Sequence, residues 1–320
     1  MKRIKTYSRI ALAISGFLAA FTILSLAGCR KSSPGKRGTI YATLASNPNY
    51  SILVYAINQE GLKETLNRES KESFTLFAPD NQAFQAAGLN SPSDLSKLPD
   101  SVLKAVLLYH VLASQTLAAQ IPQAANTPVP TLNGQVIYAT RTPAGKVFIN
   151  GIAVTKADIS CTNGVIHEVA SVLMPPTGNI VQTALGNPNL SLLVAAVLRA
   201  SQGATNVAAV LSGAGPFTVF APTNQAFINA GFPNAAAINA ADPNTLTKIL
   251  TYHVIPARVF SSDLVDQSTP ATLNGETVRI LLGKNAQVKG MGNTTPSNIT
   301  ATNIVSTNGV VHLIDQVLLP

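Results

Sequence analysis

The chain has 320 residues, room for about two domains of ordinary size. A composition of 46% hydrophobic and 11% charged residues supplies material for packed cores and excludes a disordered chain. The net charge of +8 is concentrated at one end. Eight of the 22 basic residues fall within residues 1–37, which hold no acid, so residues 38–320 carry 14 of each sign and no basic face for nucleic acid.

Lys2, Arg3, Lys5 and Arg9 precede an apolar run from Ile10 to Leu26 that closes in Leu26-Ala27-Gly28-Cys29. A basic start, an apolar run and small residues at the end read as a secretory signal over residues 1–28. Ser15, Gly16, Thr22 and Ser25 interrupt the run, which makes it marginal as a membrane span. The Leu-Ala-Gly-Cys ending resembles the lipobox of bacterial lipoproteins. That resemblance implies cleavage before Cys29 and a thioether from its sulfur to a lipid, so that membrane lipid is the expected partner of Cys29. Two or three acyl chains hold a protein firmly where one does not. Residues 29–37 read as a flexible tether, rich in Ser, Pro, Gly and basic side chains. Residue 30 is Arg and not the Asp that retains some lipoproteins at an inner membrane, so the expected location is the cell envelope, at an outer membrane where there are two. Cys161 then has no partner in the mature chain, and its counterpart in the repeat below is Ser306, so it reads as a small buried residue.

The body of the chain repeats itself. Phe74-Thr75-Leu76-Phe77-Ala78-Pro79-Asp80-Asn81-Gln82-Ala83-Phe84 returns as Phe217-Thr218-Val219-Phe220-Ala221-Pro222-Thr223-Asn224-Gln225-Ala226-Phe227. Tyr109-His110 returns as Tyr252-His253, Thr131-Leu132-Asn133-Gly134 as Thr272-Leu273-Asn274-Gly275, and Asn163-Gly164-Val165-Ile166-His167 as Asn308-Gly309-Val310-Val311-His312. A period of about 140 residues is domain-sized, so each copy can bury its own core. The predicted domains are 38–175 and 178–320, joined by Pro176-Thr177, a connection short and stiff enough to fix an angle between them.

Within each copy the elements follow in order. Asn49 and Asn189 are placed to cap helices whose apolar face is Ile52, Leu53, Ala56, Ile57 and Leu192, Leu193, Ala196, Val197. Phe-Thr-(Leu/Val)-Phe predicts a strand stopped by Ala-Pro, and Asp80 or Thr223 then caps a short helix. A helix through Val102, Leu103, Val106 and Leu107 ends near Tyr109-His110. Asn133-Gly134 predicts a hairpin turn, and Val165 to Met174 a buried strand. Helices come first and strands later, which gives an α+β class.

These blocks resemble the fasciclin domain. The first block, the Tyr-His pair and the Asn-Gly-x-(Ile/Val)-His block each match a feature of that family, twice and in order, over about 280 of the 320 residues. One departure is Ala170, which stands where the second copy keeps Asp315. The resemblance implies two tandem domains, each a β-sandwich wedge with flanking helices, and an extracellular adhesion or matrix role. Some animal members engage integrins through the Tyr-His region, a partner that does not carry over to a chain with a lipobox.

The remaining chemistry is sparse. All four histidines lie in repeated blocks, without acid or thiol ligands at metal spacing, so no metal or cofactor is expected. His167-Glu168-Val169-Ala170-Ser171 begins like a zinc-protease motif and ends in Ser, while Gly290-Met291-Gly292 lacks a third Gly. No G-x-S-x-G elbow occurs, and no catalytic residue is nominated. Two readings of Tyr109, His110, Tyr252 and His253 stand side by side: rings hydrogen-bonded inside each domain, or an adhesion surface. The expected function is an envelope-exposed adhesion or binding protein with a protein or polysaccharide ligand. The alternative is a glycan-associated spacer or helper module, and the oligomeric state is left open.

Overall fold

The computed structural model describes residues 37–69 and 73–320, and Arg37–Pro320 form one unit. Cys29, the apolar run before it and residues 30–36 of the tether lie outside the described residues. The first domain runs through helices α1 (Ile40–Ala45), α2 (Ser51–Gln59) and α3 (Lys63–Asn67), strand β1 (Phe74–Pro79), and helices α4 (Asn81–Ala86), α5 (Pro92–Leu95) and α6 (Asp100–Tyr109). Strands β2 (Val111–Leu112), β3 (Thr127–Pro130), β4 (Val136–Arg141), β5 (Val147–Ile149), β6 (Ile152–Cys161) and β7 (Gly164–Val169) follow. The second domain repeats the plan. It has helices α7 (Ile180–Leu185), α8 (Ser191–Ala200) and α9 (Val207–Ser212), strand β8 (Phe217–Pro222), and helices α10 (Asn224–Asn229), α11 (Ala235–Ala240) and α12 (Pro243–Tyr252). Strands β9 (Val254–Ile255), β10 (Arg279–Leu282), β11 (Ala286–Lys289), β12 (Ser297–Ser306) and β13 (Gly309–Ile314) complete it.

Each domain has one curled mixed sheet, ordered β2-β1-β7-β6-β5-β4-β3 in the first and β10-β11-β12-β13-β8-β9 in the second. The two repeated blocks lie side by side in its centre. β1 pairs parallel with β7 from Phe74 opposite Gly164 to Pro79 opposite Val169, and β8 pairs likewise with β13. Both faces of β1 are covered. Leu76 and Ala78 join a core shared with the helices, while Phe77 joins a second core with Ile137, Val147 and Ile149 from the far strands. The two-layer character comes from a bend in one long strand. The pairing of β6 with β7 shifts register between Val154 and Ile159, and Asp158 adopts φ +60 there; β12 shifts in the same region, with Asn303 at φ +63. Asp and Asn tolerate the left-handed region better than most residues, and such irregularities bend a strand.

The helix starts differ from expectation in one respect. Asn49 and Asn189 do not cap α2 and α8. Asn47 and Asn187 instead accept from the N–H groups of Asn49 and Asn189 and open a short 3-10 turn. The free N–H of Ile52 is met from another element, by Asn81 Oδ1 at 3.1 Å, and that of Leu192 by Asn224 Oδ1 at 2.9 Å. The block asparagine thus ties the start of one helix to the start of the next. Asp80 and Thr223 do cap α4 and α10 through Ala83 and Ala226. The predicted strand from Val165 ends at Val169, and residues 170–174 continue as an irregular buried segment with Leu173 in the inner core.

The two domains meet along a built contact. The Arg258 guanidinium lies 4.0 Å above the Tyr138 ring, and Asn126 Nδ2 donates to Arg258 O at 2.9 Å and Asp263 Oδ2 at 3.2 Å. The β5–β6 turn, Asn150-Gly151, presses against the second domain, where a Cβ on Gly151 would sit 2.7 Å from Asn303 Nδ2 and from Phe260 Cβ. Gln135 Nε2 donates to the linker at Pro176 O, 2.9 Å away.

Candidate functional site

The Tyr-His pairs end α6 and α12, and the two side chains of each pair point into different cores. Tyr109 enters the inner core of the curled sheet and is fully buried. Its hydroxyl donates to Val136 O at 3.0 Å and accepts from Asn150 Nδ2 at 3.0 Å. Burial pushes that phenol up to about 12, with the Asn150 contact opposing the shift. Tyr252 repeats the arrangement, donating to Thr277 O at 2.7 Å and accepting from Met291 N at 2.9 Å.

His110 closes the helix on the other side. Its Nδ1 donates back to Val106 O at 2.7 Å, and its Nε2 accepts from Leu173 N at 2.9 Å. His253 makes the same pair of bonds to Ile249 O and Leu318 N, at 2.8 Å each. That network fixes the neutral Nδ1–H tautomer, since the second nitrogen must offer a lone pair to an amide. The histidines of the second block use the opposite tautomer. His167 Nε2 donates to Thr116 O at 2.9 Å and Nδ1 accepts from Asp158 N at 3.2 Å; His312 does so with Val259 O and Asn303 N. His167 also stacks on Phe77, and His312 on Phe220. Burial drives His110, His253 and His312 down to about 4, and lowers His167, whose hydrogen bond to Thr116 and neighbour Asp158 work against the shift.

Tyr109, His110, Tyr252 and His253 therefore offer no exposed contact area: each is at most 1% exposed. This corrects the reading of the pairs as an adhesion surface. A helix end between two cores turns one ring into each core, and the polar tips find partners there instead of in solvent. No imidazole nitrogen keeps a lone pair for a metal, and among the described residues no group of three or more His, Cys, Asp or Glu is placed to hold one.

The other block residues are equally engaged. Asn163 Oδ1 accepts from Ile40 N at 2.8 Å, and its Nδ2 donates to Leu66 O and Arg68 O at 2.9 and 3.2 Å; Asn308 repeats this with Ile180, Leu211 and Gly213. Each buried backbone group left unmet would cost about 1–3 kcal/mol. Thr75 Oγ1 donates to Ser114 O and accepts from Thr116 N, and Thr218 does the same with Ala257 O and Val259 N. Cys161 is buried and free, its Sγ 3.4 Å from Thr43 Oγ1, where Ser306 stands 2.7 Å from Thr183 Oγ1. At the site of the one departure, Asp315 accepts from Asn298 N and Ser297 Oγ, and from Asn298 Nδ2 through its other oxygen. Ala170 keeps only the strand bond from its N–H to Ala153 O.

Sequence reasoning did not reach the Arg258–Tyr138 contact or the Asn150-Gly151 seat, since neither belongs to a repeated block. The Asn-Gly dipeptide at 150–151 was the available signal, and it marks a tight turn, not what the turn touches.

Comparison with known proteins gives these features a family. The chain is 27% identical over 312 residues to the transforming growth factor-beta-induced protein ig-h3 of Sus scrofa, covering 93% of this chain and 43% of that one. The chain thus spans about two fifths of that relative's length. It is 27% identical over 321 residues to the fasciclin-like arabinogalactan protein CTB11 of Cercospora beticola, covering 94% of this chain and 81% of that one. A solved FAS1 domain pair from the insect cell adhesion molecule fasciclin I aligns with a TM-score of 0.40 at 19% identity, over 86% of this chain and 98% of that one. The family model for the fasciclin domain matches residues 48–175 and 189–320, and the chain belongs to the fasciclin domain family as a tandem pair.

Proposed function

We propose that this chain is a non-enzymatic binding protein of adhesion type, held at an envelope surface by lipid on Cys29, with its two fasciclin domains acting as one projecting body. The observation that carries the reading is the engagement of the block side chains. The tyrosine hydroxyls and both nitrogens of every histidine are hydrogen-bonded inside the cores. A general base or nucleophile must reach its substrate within hydrogen-bond distance, and these groups cannot. Recognition then falls to exposed side chains of a charge-balanced surface. The Arg258–Tyr138 contact supports presentation of the two domains together, which favours simultaneous engagement of one surface.

A second reading has one specific support. The fungal relative that aligns along nearly the whole chain is named an arabinogalactan protein, which fits a module associated with glycans. Attachment of cells with and without the gene, with added residues 37–320 as competitor, tests adhesion. Unchanged attachment, together with saturable binding of that fragment to envelope polysaccharide, selects the glycan-associated module. Mass spectrometry of the mature chain tests the anchor. An unacylated Cys29, or a mature start elsewhere, removes it.

A further inference from the structure

The two domains differ at one matched place. In the first, α1 and α2 close over the core with Leu44 and Ile57 against Leu76, all buried. In the second, α7 and α8 present Ala184 and Val197 against Val219. The smaller side chains leave a cavity of about 60 Å³, several times the roughly 10–15 Å³ that one water needs by the same measure. The mouths differ as well. Tyr41 Oη donates to Asn58 Oδ1 at 3.0 Å across the first domain's rim, and Lys63 Nζ lies 5.4 Å from the Tyr41 ring. The matching positions in the second domain are Val181 and Leu198, which form no such latch. Leu198 is 58% exposed, and its neighbour on the rim, Leu185, is 62% exposed.

We propose that this pocket binds the end of an alkyl chain, the tail of a single-chain amphiphile whose head stays in solvent. The lining is aliphatic except for His253, and both of its nitrogens are already bonded, to Ile249 O and Leu318 N. A peptide entering here would bring N–H and C=O groups that find no partner, a cost a hydrocarbon chain does not carry. With no lining group left to hold a water, the pocket favours an apolar guest. The matched place in the first domain is filled by Leu44 and Ile57 and is the built-in control; that domain's own cavity, about 160 Å³, lies elsewhere, among Phe84, Leu95, Leu103 and Leu107.

Residues 37–320 contain both sheets and all four cores, so this fragment is the test object. It is titrated with dodecanoate and separately with dodecylphosphocholine, each below its micelle concentration, and followed by methyl NMR. The expected result is one saturable site for both, with shifts at Ala184, Val197 and Leu198 and none at Leu44 or Ile57. Ala184→Leu, which restores the first domain's residue, weakens binding by at least about tenfold. Val181→Tyr, at the rim and tolerant of a larger side chain, gives the same loss if Ala184→Leu fails to fold. No saturable shift, shifts spread over both domains, or equal binding by wild type and Val181→Tyr overturns the proposal. Preference for a leucine-rich peptide over both amphiphiles also overturns it, in favour of a protein partner. Self-association abolished by Val181→Tyr would do so in favour of a second copy.

Discussion

His110 takes the backbone N–H of Leu173 onto Nε2 at 2.9 Å while Nδ1 donates to Val106 O, so one neutral ring ties the end of α6 to the chain's irregular segment after β7. His253 holds Leu318 in the same way. Protonation of either ring would place a second donor against an amide N–H inside a core. Unfolded imidazoles titrate near 6.5, and His110, His253 and His312 are held down to about 4 in the fold. The unfolded chain therefore binds more protons between these values, and stability falls as the pH drops through that window. Above it the full contribution is present. Each ring is worth about 3 kcal/mol at most on this account. Urea unfolding of residues 37–320 should show its midpoint falling steadily as the pH is lowered from about 7 to about 4. The second domain, with both of its rings near 4, should fall furthest. A midpoint flat across this range would contradict the neutral-ring assignment.

The parallel pairing of β1 with β7 leaves no room at Gly164. A Cβ there would lie 2.0 Å from Phe74 O and 2.8 Å from Phe74 N. Gly164→Ala must therefore separate the two central strands, and a loss of about 3 kcal/mol or more is expected. Gly309→Ala should do the same in the second domain, where the contact to Phe217 O is 2.2 Å. Gly61 is the control, at φ +67 with nothing within 4 Å of the added carbon. Gly61→Ala should cost only about 1–2 kcal/mol, the price of a left-handed alanine. Thermal melts of the three variants check the ranking.

Asn163 bonds three backbone groups from separate segments, Ile40, Leu66 and Arg68. Asn163→Ala leaves them without that partner, and about 3 kcal/mol or more of stability should be lost from the first domain alone. Asn163→Asp keeps the acceptor for Ile40 N and turns an oxygen toward two carbonyls, so it should be no better than Ala. Hydrogen exchange of the Ile40 amide distinguishes the two. Protection should vanish in Asn163→Ala and persist in part in Asn163→Asp.

The blocks that repeat in sequence are the ones the structure uses twice. The Phe-Thr-x-Phe strand, the Asp80 and Thr223 caps and the two domain cores were legible because periodicity and turn chemistry are local. The position of Asn81 in the chain was visible, but its role was not, because its partners Ile52 and Pro48 lie about thirty residues away. The misplaced caps at Asn49 and Asn189 have the same origin. An Asn-Pro-Asn run offers two candidate caps, and only the distant Asn81 and Asn224 decide which N–H groups still need one. The Tyr-His pairs show the limit most plainly. A tyrosine beside a histidine at a helix end is equally compatible with a surface and a core, and the ring partners Leu173, Leu318, Asn150 and Met291 are set by tertiary closure alone.

Cys161 provides a reporter of the first domain. Burial raises its thiol, against the hydrogen bond to Thr43. Thiolate is the reactive form, so labelling of native residues 37–320 by a thiol reagent should proceed only through opening. The labelling rate should rise sharply in Gly164→Ala and remain unchanged in Gly309→Ala. Cys161→Ser should fold with stability within about 1 kcal/mol of wild type, because Ser306 makes the equivalent contact to Thr183. Rapid labelling of the native fragment would contradict the burial.

The contact between the domains centres on Arg258, a side chain that also holds a backbone group of its own domain. Arg258 stacks on Tyr138, donates through Nη1 to Gly309 O at 2.8 Å, and carries the carbonyl that Asn126 Nδ2 reaches. A guanidinium over an aromatic face contributes about 0.5–2 kcal/mol, and its planar stack is not reproduced by an ammonium. Arg258→Ala should therefore loosen the pair and increase the radius of gyration in small-angle scattering. Arg258→Lys should fall between wild type and Ala. Gly151→Leu acts from the other side, driving a side chain into Asn303 and Phe260 at a turn where φ is +75, so it should both part the domains and strain the first. If attachment depends on the pair acting as one body, Arg258→Ala should weaken it, while the isolated first domain melts as before and the second loses only what its own bond to Gly309 O contributes. Scattering curves identical to wild type in both Arg258→Ala and Gly151→Leu would show that the contact does not set the arrangement of the domains.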